Sequence, residues 1–292
     1  MSDPGDRRRS QFATVLETIK FQHTIFALPF ALTGMILAAR GWPPVRIFGW
    51  VVVAMVGARS AAMTFNRIVD RRIDAANPRT AGRALPAGRL SLRFAWGFTL
   101  VSVALFVLAA GMLNRLCLAL SPVALAVILG YSFTKRFTAA SHLALGLALG
   151  IAPMAGWLAV RGSFAPAPFL LTAAVVAWTA GFDILYACQD IEFDRSVGLY
   201  SIPARLGVGR ALKVSAGLHL ITVLALAALV PVADLGWVYR LGIVLIAGLL
   251  LYEHSLVSPR DLSRLNAAFF RVNAAVSILV FLFTLADLLL LV

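Results

Sequence analysis

The chain contains few acidic, sulfur-containing or imidazole side chains. Its 292 residues include 13 Asp and Glu, two Cys and four His. Cys117 and Cys188 both lie in apolar stretches, and two cysteines are too few for a disulfide framework or a cysteine-based metal site. The chain is instead apolar, with 61% hydrophobic residues and a mean hydropathy of +0.89. These values exclude an ordinary soluble domain and predict an all-α, polytopic membrane protein.

Nine apolar runs of membrane-spanning length follow one another along the chain. Short connections separate them, and no low-complexity tract or soluble domain interrupts them. We therefore expect a single transmembrane domain over residues 1–292. The first run lacks a convincing cleavage site and is followed by further runs, so it is expected to be an anchor and not a cleaved signal peptide. The nine runs lie at 24–39, 47–65, 94–113, 116–133, 142–160, 167–187, 211–231, 236–252 and 270–291.

The basic residues are distributed unevenly between the two sets of connections. The N-terminus and every second connection (66–93, 134–141, 188–213 and 253–271) contain 20 of the 26 Lys and Arg residues. By the positive-inside rule, these segments face the cytoplasm, as expected for a protein of a bacterial-type inner membrane. This bias explains the net charge of +13 without a nucleic-acid partner.

A first polar motif follows the second apolar run. Asn66, Asp70 and Asp74 are spaced four residues apart, so on a helix they share one face. Acidic residues at the edge of an apolar span are rare unless they have a function. The motif therefore predicts a functional polar helix face near the cytoplasmic membrane surface.

A second motif follows the sixth apolar run. Asp183, Asp190 and Asp194 share a helix face at i, i+7 and i+11, whereas Glu192 points elsewhere. Six of the 13 acidic residues of the chain lie within the two motifs. We therefore expect two acidic helix faces to meet across a cavity and to hold metal.

The residue types of the two motifs predict Mg²⁺ and not zinc. Mg²⁺ prefers hard oxygen ligands and usually binds one or two carboxylates together with phosphate oxygens. Asp183 lies deeper in its span and could instead serve an acceptor substrate. The predicted metal ligands are Asn66, Asp70, Asp74, Asp190 and Asp194.

Basic side chains accompany both motifs and predict a diphosphate ligand, since Arg and Lys pair with phosphate oxygens. Any single Arg among them could equally be a helix-end anchor. Arg79-Thr80-Ala81-Gly82 and Arg195-Ser196-Val197-Gly198 also match in residue type, which suggests a weak repeat with two equivalent half-sites. The basic residues considered are Arg67, Arg71, Arg72, Lys135, Arg136 and Arg195.

Three further residues have two open interpretations each. Arg59 lies seven residues before Asn66, on the same face and deeper in the membrane, where it either pairs with Asp183 or binds an acidic substrate. Tyr131 and Tyr186 either hydrogen-bond substrate or anchor the membrane interface.

The chain resembles the UbiA superfamily of intramembrane prenyltransferases over nearly its whole length. Three signatures carry the resemblance: Asn-x-x-x-Asp-x-x-x-Asp, Asp-x-x-Tyr-x-x-x-Asp-x-x-x-Asp, and Tyr-x-x-x-Lys-Arg. They are met by Asn66, Asp70 and Asp74, by Asp183, Tyr186, Asp190 and Asp194, and by Tyr131, Lys135 and Arg136.

The sequence departs from the family pattern in three places. Arg67 replaces a frequent Asp, and Lys20 and Thr24 stand where many users of 4-hydroxybenzoate have Arg and Pro. The stretch 22–30 is more similar to a 4-hydroxybenzoate polyprenyltransferase-like branch, some members of which are assigned to the futalosine route to menaquinone. These departures leave the acceptor open.

The resemblance implies nine helices around a central cavity and transfer of a polyprenyl group to an aromatic acid, as in ubiquinone biosynthesis. Two Mg²⁺ ions, with Lys135 and Arg136, would stabilise the departing diphosphate. Asp183 or Asp190 would accept the ring proton, and Lys20 or Arg59 would hold the carboxylate of the acceptor.

Other functions remain open at this point. The same chemistry could act on 1,4-dihydroxy-6-naphthoate, haem, chlorophyllide or a glycerol phosphate lipid. A cation-coupled transporter is the alternative from another class, although transporters place polar breaks near the membrane midplane in inverted repeats. Here the acids cluster at one membrane face.

Overall fold

The computed structural model describes Thr14, residues 24–265 and residues 271–290. Most of these residues are helical, and turns connect the helices, with one isolated β-bridge between Ser258 and Asp261. The helices are α1 (Thr24–Ala39), α2 (Val45–Val69), α3 (Arg71–Ala76), α4 (Leu92–Leu113), α5 (Arg115–Thr134), α6 (Ser141–Arg161), α7 (Pro166–Ala187), α8 (Ile191–Ser196), α9 (Ile202–Leu206), α10 (Val208–Val232), α11 (Trp237–Ser255) and α12 (Asn273–Leu290).

The predicted membrane helices are confirmed within the described part of the chain. Eight helices are long and apolar enough to cross a bilayer, and α1, with 16 described residues, is the ninth apolar helix. The remaining three are short: α3 and α8 each contain the last aspartate of an acidic motif, and α9 lies in the connection after the second motif. The chain is therefore an all-α, multi-pass membrane protein.

The long helices form a ring. Helix α1 packs against α6 and α12, α6 against α7, α7 against α10, α10 against α11, and α11 against α12. Helices α2 and α4 form a second layer, which joins the ring through α5. The polar motifs begin in the last turns of α2 and α7, which belong to the second layer and to the ring, respectively.

Two glycines allow α1 and α6 to cross at backbone contact. A Cβ at Gly34 would lie 2.0 Å from the carbonyl oxygen of Pro153, and a Cβ at Gly156 would lie 2.1 Å from that of Ala31. Helices in lipid associate through close van der Waals packing, which small residues permit. These glycines therefore fix the position of α6, one wall of the candidate site.

Neither acidic motif lies on one uninterrupted helix, although the backbone N–H groups of Asp70 and Asp74 still donate to the carbonyl oxygens four residues earlier. Helix α2 ends at Val69 and α3 begins at Arg71, with Asp70 at the junction. Helix α7 ends at Ala187, and a 3₁₀ turn over Cys188–Asp190 precedes α8. A tighter turn changes the rotation per residue, so the second motif departs locally from the geometry of a regular α-helix.

Candidate active site

One cavity of about 360 Å³ lies between the two acidic motifs, at the ends of α2, α5 and α7 and the start of α6. Every predicted metal ligand lines this cavity, together with Asp183. The motif residues on its wall are Asn66, Asp70, Asp74, Asp183, Tyr186, Asp190 and Asp194. The two motifs therefore converge on one cavity, as predicted, although their helices are interrupted.

Asp70 is buried and lies beside two cations from the end of α5. Lys135 Nζ is 2.6 Å from Asp70 Oδ2, and Arg136 Nη2 is 3.5 Å from Oδ1. Asn66 Nδ2 also donates to Asp70 Oδ2 at 3.1 Å. Lys135 lines the cavity, whereas Arg136 is exposed beside it and donates to the Val69 carbonyl oxygen.

Asp74 is the second buried carboxylate of the first motif. Arg83 Nη1 lies 2.7 Å from Asp74 Oδ1, and Arg67 Nη1 lies 3.8 Å from Oδ2. Arg67 is itself buried and lines the cavity. Four cations thus surround the two aspartates of the first motif.

Arg79 connects the two motifs across the cavity. Its Nε and Nη2 atoms donate to the two oxygens of Asp190 at 3.0 and 2.6 Å, and its Nη1 donates to the Tyr186 hydroxyl at 3.2 Å. Asn77 Nδ2 donates to the same carboxylate at 3.2 Å. Burial would lower the pKa of Arg79, but the hydrogen bonds and charge of Asp190 outweigh it and raise the pKa above its usual value.

The other two acids of the second motif contact side chains without a permanent charge. Ser201 Oγ donates to Asp194 Oδ2 at 2.7 Å. His142 Nδ1 lies 2.7 Å from Asp183 Oδ2. Asp183 therefore pairs with His142. This contact does not support the alternative in which Asp183 pairs with Arg59.

The oxygen atoms of the first motif suit a hard cation. Asp70 Oδ1 and Asp74 Oδ2 are buried and accept no hydrogen bond from the described residues. Within this part of the chain, no three His, Cys, Asp or Glu side chains are arranged to hold an ion by themselves. One or two carboxylates completed by phosphate oxygens and water are nevertheless the usual environment of Mg²⁺. The donor set therefore fits Mg²⁺ bound together with a diphosphate.

Three of the predicted phosphate-binding arginines lie outside the cavity, which corrects their assignment. Arg71 and Arg72 are exposed, because helix α3 turns successive residues by about 100° and its inward face carries Ile73 and Asp74. Arg195 is exposed and donates to the Ala204 carbonyl oxygen at 2.8 Å. Lys20 lies outside the described residues. Glu192 is exposed, and it is absent from the cavity wall as expected.

A second cavity of about 340 Å³ continues from the first into the membrane region. Its wall is almost entirely apolar, and residues of α1, α2, α4, α5 and α6 form it. Arg59 and Tyr131 are the polar side chains at the junction of the two cavities. The residues that line both cavities are Arg59, Met63, Tyr131, Leu145 and Leu149.

Several residues of the polar cavity have no functional motif around them in the sequence. Arg79 was visible only as part of a repeat, and Arg83, Asn77 and Ser201 belong to connections interpreted as turns. His142 is the second residue of α6 and has no motif around it. For each of these residues the functional signal is a contact with a motif residue, and such contacts exist only after folding.

Comparisons with known proteins agree with this geometry. The model of the UbiA prenyltransferase family matches residues 27–281. A 4-hydroxybenzoate octaprenyltransferase of Photobacterium profundum is 33% identical over 253 residues, which cover 86% of this chain and 87% of the relative. A 4-hydroxybenzoate solanesyltransferase of Synechocystis is 32% identical over 72% of this chain and 76% of the relative.

Solved structures have the same fold. A UbiA homolog from Aeropyrum pernix, solved in its apo form, superimposes with a TM-score of 0.83 at 37% identity and covers 91% of this chain and 98% of its own. A UbiA homolog from Archaeoglobus fulgidus, solved with GPP and Mg²⁺, gives a TM-score of 0.74 at 22% identity over 94% and 99% of the two chains. From the family match and the curated relatives, the chain belongs to the UbiA prenyltransferase family.

Proposed function

We propose that the protein transfers a polyprenyl group from a polyprenyl diphosphate to an aromatic acid of the 4-hydroxybenzoate type. One observation carries the proposal: a polar cavity lined by two carboxylate motifs opens directly into a long apolar cavity. A diphosphate fits the first and an isoprenoid chain fits the second. The similarity to a 4-hydroxybenzoate octaprenyltransferase and a 4-hydroxybenzoate solanesyltransferase supports 4-hydroxybenzoate as the acceptor.

Mg²⁺ is the proposed cofactor, with one ion at each motif. Asn66, Asp70 and Asp74 would hold one ion, and Asp190 and Asp194 the other. Bound Mg²⁺ would neutralise the diphosphate and so ease its departure from the allylic carbon. The Archaeoglobus homolog, solved with GPP and Mg²⁺ and also with Cd²⁺, supports the use of a divalent ion.

The basic side chains that now contact the motifs are the proposed diphosphate ligands. Lys135, Arg136, Arg79 and Arg83 each contact a motif carboxylate at 3.5 Å or less. When metal ions occupy the carboxylates, these cations need another anionic partner. A diphosphate bound between the motifs would be that partner. The same side chains then stabilise the leaving group.

The junction of the two cavities is the proposed acceptor site. Arg59 lies on a membrane helix at this junction, where a charged side chain needs an aqueous or anionic environment. Its guanidinium is suited to the carboxylate of an aromatic acid, and the Tyr131 hydroxyl lies on the same wall. The apolar wall excludes water from the reactive allylic carbon.

The positive-inside bias places the N-terminus and both motifs on the cytoplasmic side of the inner membrane. The basic connections 66–93, 134–141 and 188–213 all meet at the polar cavity, which supports this orientation. Polyprenyl diphosphate would then enter with its charged end at the cytoplasmic surface and its tail among the membrane helices.

A direct assay tests the proposal. Purified protein in lipid nanodiscs with Mg²⁺ and labelled polyprenyl diphosphate is offered 4-hydroxybenzoate, 1,4-dihydroxy-6-naphthoate and haem in parallel. We expect the label on 4-hydroxybenzoate. Selective labelling of another acceptor would show that the acceptor assignment is wrong and that the protein is still a prenyltransferase. If no acceptor is labelled, although the protein is folded and Mg²⁺ is present, the proposed function is wrong.

A variant at the junction tests the acceptor site separately. In Arg59→Gln, we expect the KM for 4-hydroxybenzoate to rise about tenfold or more, since a charged hydrogen bond is lost. The KM for polyprenyl diphosphate should stay the same. Arg46→Gln is the matched control, because Arg46 lies on the same helix, is exposed and contacts the Met112 carbonyl oxygen. An unchanged acceptor KM in Arg59→Gln would contradict the assignment.

A further inference from the structure

His142 and Asp183 form a hydrogen-bonded pair that the motifs do not predict. His142 is the second residue of α6 and Asp183 lies near the end of α7, so the pair joins two walls of the polar cavity. The distance from His142 Nδ1 to Asp183 Oδ2 is 2.7 Å. The His142 side chain is 4% exposed, whereas that of Asp183 is 26% exposed.

The second nitrogen of His142 determines which ring atom carries the proton. The backbone N–H of Ile202 donates to His142 Nε2 at 3.2 Å. A nitrogen that accepts a hydrogen bond carries no proton, so the neutral ring has its proton on Nδ1 and donates it to Asp183.

This arrangement fixes one oxygen of Asp183 and leaves the other available. Oδ2 accepts from His142, while Oδ1 accepts no hydrogen bond from the described residues. Leu145 and Leu149, which line both cavities, follow His142 on α6. Asp183 is thus bonded to a residue that lies one helical turn before Leu145, at the junction of the two cavities.

We propose that His142 is a positioning residue, whose Nδ1–H holds the Asp183 carboxylate so that Oδ1 accepts the proton released from the acceptor ring. The inference rests on the proposed function. In the step, the allylic C–O bond breaks and the diphosphate leaves with its electron pair. A ring carbon then forms the new C–C bond. The C–H electron pair of that carbon restores the aromatic ring as its proton passes to Asp183.

His142 itself does not relay this proton. Its Nδ1 already carries one, and protonation of Nε2 would break the bond from the Ile202 N–H. His142 therefore acts as a fixed donor, and the proton leaves Asp183 through the polar cavity. A misplacement of about 1 Å can slow a reaction about a hundredfold, so the loss of this donor should be easily measured.

Two substitutions separate the two hydrogen bonds of His142. In His142→Asn, the amide nitrogen can occupy the place of Nδ1 and keep the donor to Asp183. In His142→Gln, the longer amide reaches the place of Nε2 and keeps the contact with Ile202. We expect Gln to lower the single-turnover rate about a hundredfold with an unchanged KM for polyprenyl diphosphate. Asn should retain the rate within about fivefold.

A double variant and a spectroscopic measurement complete the test. Because His142 is proposed to act through Asp183, His142→Gln combined with Asp183→Asn should be no slower than Asp183→Asn alone. In ¹⁵N-histidine spectra of the ligand-free protein, the ring resonance that His142→Asn removes should belong to an Nδ1-protonated neutral ring. Thermal unfolding of each variant checks that the fold is retained.

The outcomes separate this proposal from the proposed function. Equal losses in His142→Asn and His142→Gln, a rate unchanged in His142→Gln, or an Nε2-protonated ring would each overturn the positioning role. Such results leave prenyl transfer by the parent protein intact. Failure of the parent protein to prenylate any acceptor would overturn the proposed function, and with it the proposed role of His142. The ¹⁵N spectrum would still show which hydrogen bonds the His142 ring makes.

Discussion

The two acidic motifs line the same cavity but differ in their charge environment. In the first motif, four cations surround Asp70 and Asp74: Lys135, Arg136, Arg83 and Arg67. In the second motif, the described ion pairs include one permanent cation, Arg79 at Asp190. Asp194 contacts a serine hydroxyl and Asp183 a histidine. The repeat in sequence therefore does not produce two equivalent half-sites.

This difference suggests that the two motifs have different roles in binding. The first motif is rich in positive charge and suited to hold the diphosphate, whereas the second retains negative charge that a metal ion can neutralise. Arg79 and Asn77 belong to the connection after the first motif and donate to Asp190 of the second, so together they link the two motifs. Substitutions that distinguish the motifs can break or sharpen this interpretation.

The largest effect is expected from neutralising one carboxylate in each motif. Asp70→Asn and Asp190→Asn should each lower kcat/KM on the order of a thousandfold, because each removes a metal ligand while keeping the side-chain shape. Steady-state prenyl transfer over a range of Mg²⁺ concentrations measures this. Glu192→Gln is the control, since Glu192 is exposed and outside the cavity. Near-normal activity in either Asn variant would remove that motif from the proposed metal site.

An intermediate effect is expected from the arginines of the repeat. Arg79→Gln should raise the KM for polyprenyl diphosphate about tenfold to a hundredfold, because a bidentate, charged donor at the cavity is lost. Arg195→Gln should change it less than about twofold, since Arg195 is exposed and contacts a backbone carbonyl. Equal effects in both variants would restore the idea of equivalent half-sites.

The smallest effect is expected at Ser201, which donates to Asp194. Ser201→Ala should raise the Mg²⁺ concentration for half-maximal activity about fivefold, because one hydrogen bond that orients a charged ligand is lost. Ser196→Ala is a matched control, since Ser196 is exposed in the same connection and donates to the Phe193 carbonyl oxygen. A larger change in the control than in Ser201→Ala would contradict this role of Ser201.

The amino-acid sequence alone was sufficient to predict the helical membrane fold, the approximate limits of its apolar helices and the convergence of the motifs. These features depend on local properties: the length of apolar runs, the spacing of polar residues and the distribution of basic residues. Local patterns did not predict the interruptions of the helices at Asp70 and at Cys188–Asp190.

Only the tertiary structure decided which polar side chains meet. Arg79 reaches an aspartate 111 residues away, and His142 reaches one 41 residues away. At the opposite end of the bundle, Asp287 accepts from the backbone N–H groups of Gly236 and Tyr239 at the start of α11, another contact that no local pattern predicts. These partners lie on helices that are far apart in the sequence and meet only when the helices pack. The sequence therefore determines which polar groups are available, and helix packing determines which of them form contacts.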